Sequence, residues 1–120
     1  YSARTLNPRT HRCAFTWSDE MLSRKEYFLT CLAEECAEVS QRISKALRFG
    51  LDEIQPGQEL SNATRVRLEF LDLLTTVEKL RSEGIELYNR NSNADIRHMR
   101  EKADKLERFY AYSRGLGKVE

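Results

Sequence analysis

Apolar residues recur at helical spacing in the stretch that follows Ser23, and this pattern predicts the first helix. The sequence Ser23-Arg24-Lys25-Glu26 is a capping box, in which the serine hydroxyl and the glutamate carboxylate accept hydrogen bonds from backbone amides that the first turn leaves free. Gly50 supplies a typical stop signal. We therefore predict a helix from about Ser23 to Phe49. Its apolar positions are Phe28, Cys31, Leu32, Val39, Ile43 and Ala46.

A second helix is predicted after a loop at residues 51–62, which contains the turn-forming pairs Pro56-Gly57 and Ser61-Asn62. It should run from about Ala63 to Ser82 or Glu83, just before Gly84. Two leucines, Leu68 and Leu71, lie off its main apolar stripe, and one small bundle cannot easily bury two faces of a helix. They therefore predict a subunit interface. The main stripe consists of Val66, Phe70, Leu73, Val77 and Leu80.

A weaker apolar stripe predicts a third helix, from about Ala94 to Tyr112 and ending near Gly115. The positions of this stripe are Ile96, Met99, Ala103, Leu106 and Phe109 or Tyr110. No stretch shows strand-like alternation of useful length. The predicted fold is therefore all-α, an antiparallel helical bundle that completes its core by oligomerisation. We divide the chain into an irregular N-terminal arm (1–17), a helical domain (18–114) and a C-terminal tail (115–120).

Composition and charge narrow the range of partners. The chain has 120 residues, 20 of them basic and 19 acidic, and the net charge of +1 gives no reason to expect nucleic-acid or membrane-surface binding. Its longest apolar run is too short to span a bilayer, and we expect no signal segment. The cysteines, Cys13, Cys31 and Cys36, are too few for a disulfide framework and odd in number. A cytoplasmic location is the resulting expectation.

Two acidic pairs are the candidate chemistry of the chain. Glu35 and Glu38 lie three residues apart on the first helix, and Glu69 and Asp72 do so on the second, so each pair shares a helix face. Most pairs of this kind belong to a solvated surface. Glu35, however, lies near the middle of the apolar face, where a carboxylate is costly unless something compensates it.

A divalent cation is the expected compensation. Because the two helices should be antiparallel neighbours, we expect the four carboxylates to converge, where they would repel one another strongly without a cation. Neither pair contains histidine or cysteine. An all-oxygen site of this kind favours Mg²⁺, with Mn²⁺ as a substitute, over zinc or iron.

Basic residues near the acidic pairs indicate a phosphate substrate, because Mg²⁺ usually completes its coordination with water and substrate phosphates. Lys45 and Arg48 follow the first pair on the same helix, and Arg65 precedes the second pair. These three are candidate phosphate-binding residues, although each could instead form a surface ion pair. Trp17 is a candidate to stack on a base, with a role in the core as the alternative.

The residues around the acidic pairs resemble one known superfamily. The pattern Glu34-Glu35-x-x-Glu38 followed by Glu69-x-x-Asp72 is similar to the all-α nucleoside triphosphate pyrophosphohydrolases, which include MazG-like proteins, dimeric dUTPases and dCTP pyrophosphatases. Two further stretches resemble MazG-like proteins of phage and mobile-element type. They are Ile43-Ser44-Lys45-Ala46-Leu47-Arg48-Phe49-Gly50 and Arg67-Leu68-Glu69-Phe70-Leu71-Asp72-Leu73-Leu74. The resemblance covers roughly residues 25–83.

This resemblance implies an activity and a set of roles. The expected reaction is Mg²⁺-dependent cleavage of the α–β phosphate bond of a nucleotide, giving the monophosphate and pyrophosphate, with housecleaning of non-standard deoxynucleotides as a plausible purpose. Metal-binding positions fall on Glu35, Glu38, Glu69 and Asp72. Glu34 and Glu38 are the candidate catalytic residues, as carboxylates able to take a proton from the attacking water.

The resemblance also implies a homodimer or homotetramer. Two alternatives to catalysis stay open at this point. One is a non-catalytic helical interaction module that has kept the scaffold, and the other is a nucleotide-binding regulator without turnover.

Overall fold

Three α-helices make up the described part of the chain. The computed structural model describes residues 21–120, and its helices are α1 (Arg24–Phe49), α2 (Asn62–Ser82) and α3 (Asn93–Gly115). That part contains no strand, which confirms the all-α prediction, and the helix ends lie within a few residues of those predicted. None of these helices is both long and apolar enough to cross a bilayer. The predicted N-terminal arm lies outside the described residues.

The ends of α1 form as the sequence predicts. The Ser23 hydroxyl accepts a hydrogen bond from the Glu26 amide at 3.2 Å, and the Ser23 amide donates to Glu26 Oε2 at 2.7 Å. These two bonds complete the capping box and satisfy free amides of the first turn. At the other end Gly50 adopts a φ of 104°, which favours glycine, and its amide donates to the Ala46 carbonyl at 2.9 Å.

The first two helices form an antiparallel hairpin. At the loop end, the fully buried Asn62 donates from Nδ2 to the Gly50 carbonyl at 2.8 Å, which ties the start of α2 to the end of α1. At the open end, Arg24 Nε lies 2.7 Å from Glu83 Oε1. Because the first residue of α1 meets the residue just after α2, the two helices run side by side along their whole length.

The core of this hairpin is small. Within residues 21–120 the buried apolar residues are Ala46, Val77 and Leu80. Two residues predicted for the apolar stripes, Ile43 and Phe70, are instead exposed, because a single pair of helices buries only the seam where they touch. The rest of each apolar face therefore stays open to solvent or to a partner.

The third helix stands apart from the hairpin. α3 is joined to α2 by residues 83–92 and contacts neither α1 nor α2. Its first turn is capped by Ser92, whose hydroxyl accepts a hydrogen bond from the Asp95 amide at 3.2 Å. Acidic and basic side chains cover much of its surface, but its apolar stripe also lies in the open. Oligomerisation stays a prediction.

Candidate metal centre

Three carboxylates of the two acidic pairs meet between α1 and α2. One oxygen each from Glu35, Glu69 and Asp72 lies within 4.8 Å of the other two. Opposite ligands of an octahedral Mg²⁺ at about 2.1 Å stand about 4.2 Å apart. Small side-chain movements therefore suffice to bring the three oxygens into one coordination shell.

Glu35 is the carboxylate of this group whose surroundings most favour a bound cation. Its Oε2 is buried and has no hydrogen-bond partner among the described residues. Burial raises the pKa of the Glu35 carboxyl, and the neighbouring carboxylates of Glu38, Asp72, Glu69 and Glu34 raise it further. A desolvated carboxylate beside other carboxylates is unfavourable, and a divalent cation would relieve both the desolvation and the repulsion. The donor set thus fits Mg²⁺ or Mn²⁺.

Glu38 lies outside this group, so the structure brings together three of the four predicted carboxylates. Its side chain is exposed, and its carboxylate lies outside the set that meets within 4.8 Å. The reason is its place on α1, about 60° around the helix axis from Glu35 and therefore at the rim of the interface. It is nevertheless close enough to raise the pKa of Glu35. Glu34 is also exposed, about 100° to one side of Glu35.

The three predicted phosphate-binding residues lie at different distances from the carboxylates. Lys45 and Arg48 follow Glu35 by ten and thirteen residues, which is roughly 15 and 20 Å along the helix axis. Arg65 precedes Glu69 by only four residues, roughly 6 Å, and its Nη1 donates to Gln55 Oε1 at 2.8 Å. Of the three, Arg65 is therefore the residue best placed to contact a phosphate bound at the carboxylates. Trp17, the predicted stacking residue, lies outside the described residues.

Arg42 is a candidate that our sequence reasoning missed. Its Nε and Nη1 are buried and find no hydrogen-bond partner in the described part of the chain. Arg42 follows Glu35 by seven residues, so it lies on the same face of α1, about 10 Å nearer the loop. The periodicity that placed Glu35 on the apolar face would also have placed Arg42 there. Buried guanidinium nitrogens without an acceptor are well suited to bind an anion such as a phosphate.

An open groove lies on the other side of Glu35, towards the open end of the hairpin. It has a volume of about 360 Å³, and the residues around it include Tyr27, Phe28, Thr75, Thr76 and Lys79. The rings of Tyr27 and Phe28 meet edge to face with centroids 5.4 Å apart. Lys79 Nζ lies 5.2 Å from the Phe28 ring centroid. This volume is within the range of small-molecule sites, about 300–1,000 Å³.

Comparison of the chain with protein-family models, curated proteins and solved structures gave no match. Three features follow one another along the hairpin. The aromatic groove lies at the open end, the carboxylates lie next to it, and Arg42 and Arg65 lie on the loop side.

Proposed function

We propose that this protein is a Mg²⁺-dependent nucleoside triphosphate pyrophosphohydrolase, which cleaves a (d)NTP to the monophosphate and pyrophosphate. The observation that carries the proposal is the group formed by Glu35, Glu69 and Asp72, in which Glu35 Oε2 is buried and has no hydrogen-bond partner within residues 21–120. When bound there, Mg²⁺ would neutralise phosphate charge and help to activate water for attack. The resemblance to the all-α pyrophosphohydrolases supports the same reaction.

The acidic residues would have two different roles: some would bind the cation, and others would accept the proton of the attacking water. Glu35, Glu69 and Asp72 would hold the cation, and the exposed Glu38 would supply a further oxygen if its side chain turned towards them. Glu34 is exposed beside this group. Glu34, and Glu38 when it is not a ligand, are the carboxylates that can accept the proton of the attacking water.

The positions of the two arginines indicate which way the triphosphate would lie along the hairpin. Arg42 and Arg65 both lie on the loop side of the carboxylates, one on each helix. Since Arg42 has buried nitrogens without acceptors, phosphate oxygens would satisfy donors that the described chain leaves free. The terminal phosphates of the substrate therefore extend towards the loop, with the reacting phosphorus beside the carboxylates.

The aromatic groove then receives the nucleoside. It opens on the opposite side of Glu35 from the arginines, and the residues around it include Tyr27, Phe28, Thr75 and Thr76. Aromatic rings bind the flat faces of bases. The two threonine hydroxyls donate to the Leu71 and Asp72 carbonyls at 2.8 and 3.0 Å, so they would act as acceptors towards a sugar or a base edge. The groove gives no reason to prefer a particular base.

A pyrophosphate-release assay across a panel of NTPs and dNTPs tests the proposal. The protein should release one pyrophosphate per monophosphate with Mg²⁺, and none when Mg²⁺ is chelated. Glu35→Gln should abolish turnover, while the matched control Glu101→Gln, an exposed glutamate on α3, should not. Orthophosphate as the first product would contradict the reaction.

Two further results would each overturn catalysis in favour of an alternative. Nucleotide binding without turnover would indicate a regulator. A protein that binds neither nucleotide nor Mg²⁺ would indicate a helical interaction module.

A further inference from the structure

α3 is a long amphipathic helix without a packing partner among the described residues. It extends over Asn93–Gly115 and contacts neither of the other helices. Large side chains of its apolar stripe are open to solvent, with exposed fractions of 63% for Met99, 56% for Leu106 and 48% for Tyr110. Most helical stability in proteins comes from packing an apolar face against a partner rather than from the intrinsic propensity of the helix. We therefore expect the apolar stripe of α3 to pack against another apolar surface.

The spacing of the stripe is that of a helix pair. Its residues follow one another in alternating steps of three and four, which are the a and d positions of a heptad repeat. A shallow groove lies over the first part of the stripe, between Arg90 and Arg100. The stripe positions are Ile96, Met99, Ala103, Leu106 and Tyr110.

The charges that flank the stripe identify the partner and its direction. In a parallel helix pair each g position faces the e position of the next heptad on the partner helix. The g residues Asp95 and Lys102 would face Arg100 and Glu107 of the second copy, so both contacts join opposite charges. The next such contact, Phe109 with Arg114, joins no like charges. An antiparallel pair would not bring these g and e residues together.

We propose that α3 pairs with α3 of a second copy of this chain, as a parallel and two-fold symmetric helix pair along the Ile96–Tyr110 stripe. The two copies would contribute the same surface, as symmetric dimers do. Asp95 Oδ2 already accepts a hydrogen bond from the Asn89 amide at 2.7 Å, so Lys102 with Glu107 is the cleaner of the two charge pairs. This pairing rests on α3 alone and is independent of the proposed activity.

Disulfide trapping tests both the surface and its direction. In the full chain with Cys13, Cys31 and Cys36 changed to serine, Leu106→Cys places a thiol at a d position, where identical residues of a parallel pair face each other. Mild oxidation should convert most of the protein to a covalent dimer. The matched control is Arg108→Cys, at an exposed f position of the same helix, which should stay monomeric on a denaturing gel. Equal cross-linking of both variants, or of neither, would overturn the proposal.

Charge exchange provides a second and independent readout by sedimentation equilibrium. Lys102→Glu and Glu107→Lys should each weaken the dimer by about tenfold, because each places like charges together at two symmetric contacts. The double variant should restore wild-type affinity. A wild-type protein that is monomeric at micromolar concentration would contradict the pairing. So would a dimer that survives these changes but dissociates with Leu68→Lys, because assembly would then use α2.

Discussion

Replacing Glu35 by glutamine separates a metal ligand from a merely structural carboxylate, because the two roles predict opposite effects on stability. Glutamine keeps the length of the side chain and removes its charge. Without a divalent cation, the wild-type carboxylate is desolvated and lies close to Glu69 and Asp72. The variant should therefore unfold at a higher temperature than the wild type when cations are chelated. With Mg²⁺ present, the order should reverse.

The size of the reversal follows from mass action. At free Mg²⁺ one hundred times the Kd, binding stabilises the wild type by about 2.7 kcal/mol. Loss of even an outer partner of a metal ligand lowers affinity about 10–100-fold, so loss of the ligand should cost at least as much. If the variant binds Mg²⁺ one hundred times more weakly, the same free Mg²⁺ concentration raises its free energy of unfolding by only about 0.4 kcal/mol. In a domain of this size these gains correspond to about 10–20 °C and about 2–3 °C.

Circular dichroism melting with chelator and with Mg²⁺, at one protein concentration, measures these shifts. Glu34→Gln is the matched control, since it removes the same charge from the adjacent and exposed residue of α1. It should leave the Mg²⁺ shift close to that of the wild type. If Glu35→Gln were less stable than the wild type in chelator, and gained as much from Mg²⁺, the carboxylate would be structural and the metal centre refuted.

Three further predictions concern the same site. Glu38→Gln should lower turnover by at least about tenfold while apo stability holds or rises, measured by pyrophosphate release and melting; a less stable apo protein with full activity would contradict this. Arg42→Gln should lower kcat/KM by about 10–100-fold, since it removes a charged phosphate contact, whereas Arg48→Gln should have little effect. In chelator, urea stability should fall as pH rises above the ordinary glutamate pKa of 4.5, because the raised pKa of Glu35 makes its ionisation easier in the unfolded chain. Glu35→Gln should flatten that slope.

The helices could be predicted from the sequence because their signals are local. Ser23 with Glu26 begins α1 and Gly50 ends it, and each signal acts through hydrogen bonds to its own turn. The helical periodicity of the apolar residues in α1 was also enough to place Glu35 on the face that meets α2. Such features need no knowledge of distant residues, so a single chain is enough to find them.

Other features depend on tertiary packing and could not be predicted in the same way. The separation of α3 from the hairpin is a property of packing, and its apolar stripe is equally compatible with a place in a three-helix bundle. Glu38 has the same helical spacing as Asp72, yet only Asp72 joins the carboxylate group, so spacing within one helix does not predict which carboxylates meet. The helical periodicity of α1 also places Arg42 on the apolar face, but long basic side chains are usually assumed to be solvated.

The most direct test of the central claim is the product ratio from deoxynucleoside triphosphates with Mg²⁺, measured on wild type, Glu35→Gln and Glu101→Gln in parallel. Our account predicts equal amounts of monophosphate and pyrophosphate from the wild type and from Glu101→Gln, and no product from Glu35→Gln or in chelator. Product formation by Glu35→Gln at the wild-type rate, or none by the wild-type protein with any triphosphate, would contradict it.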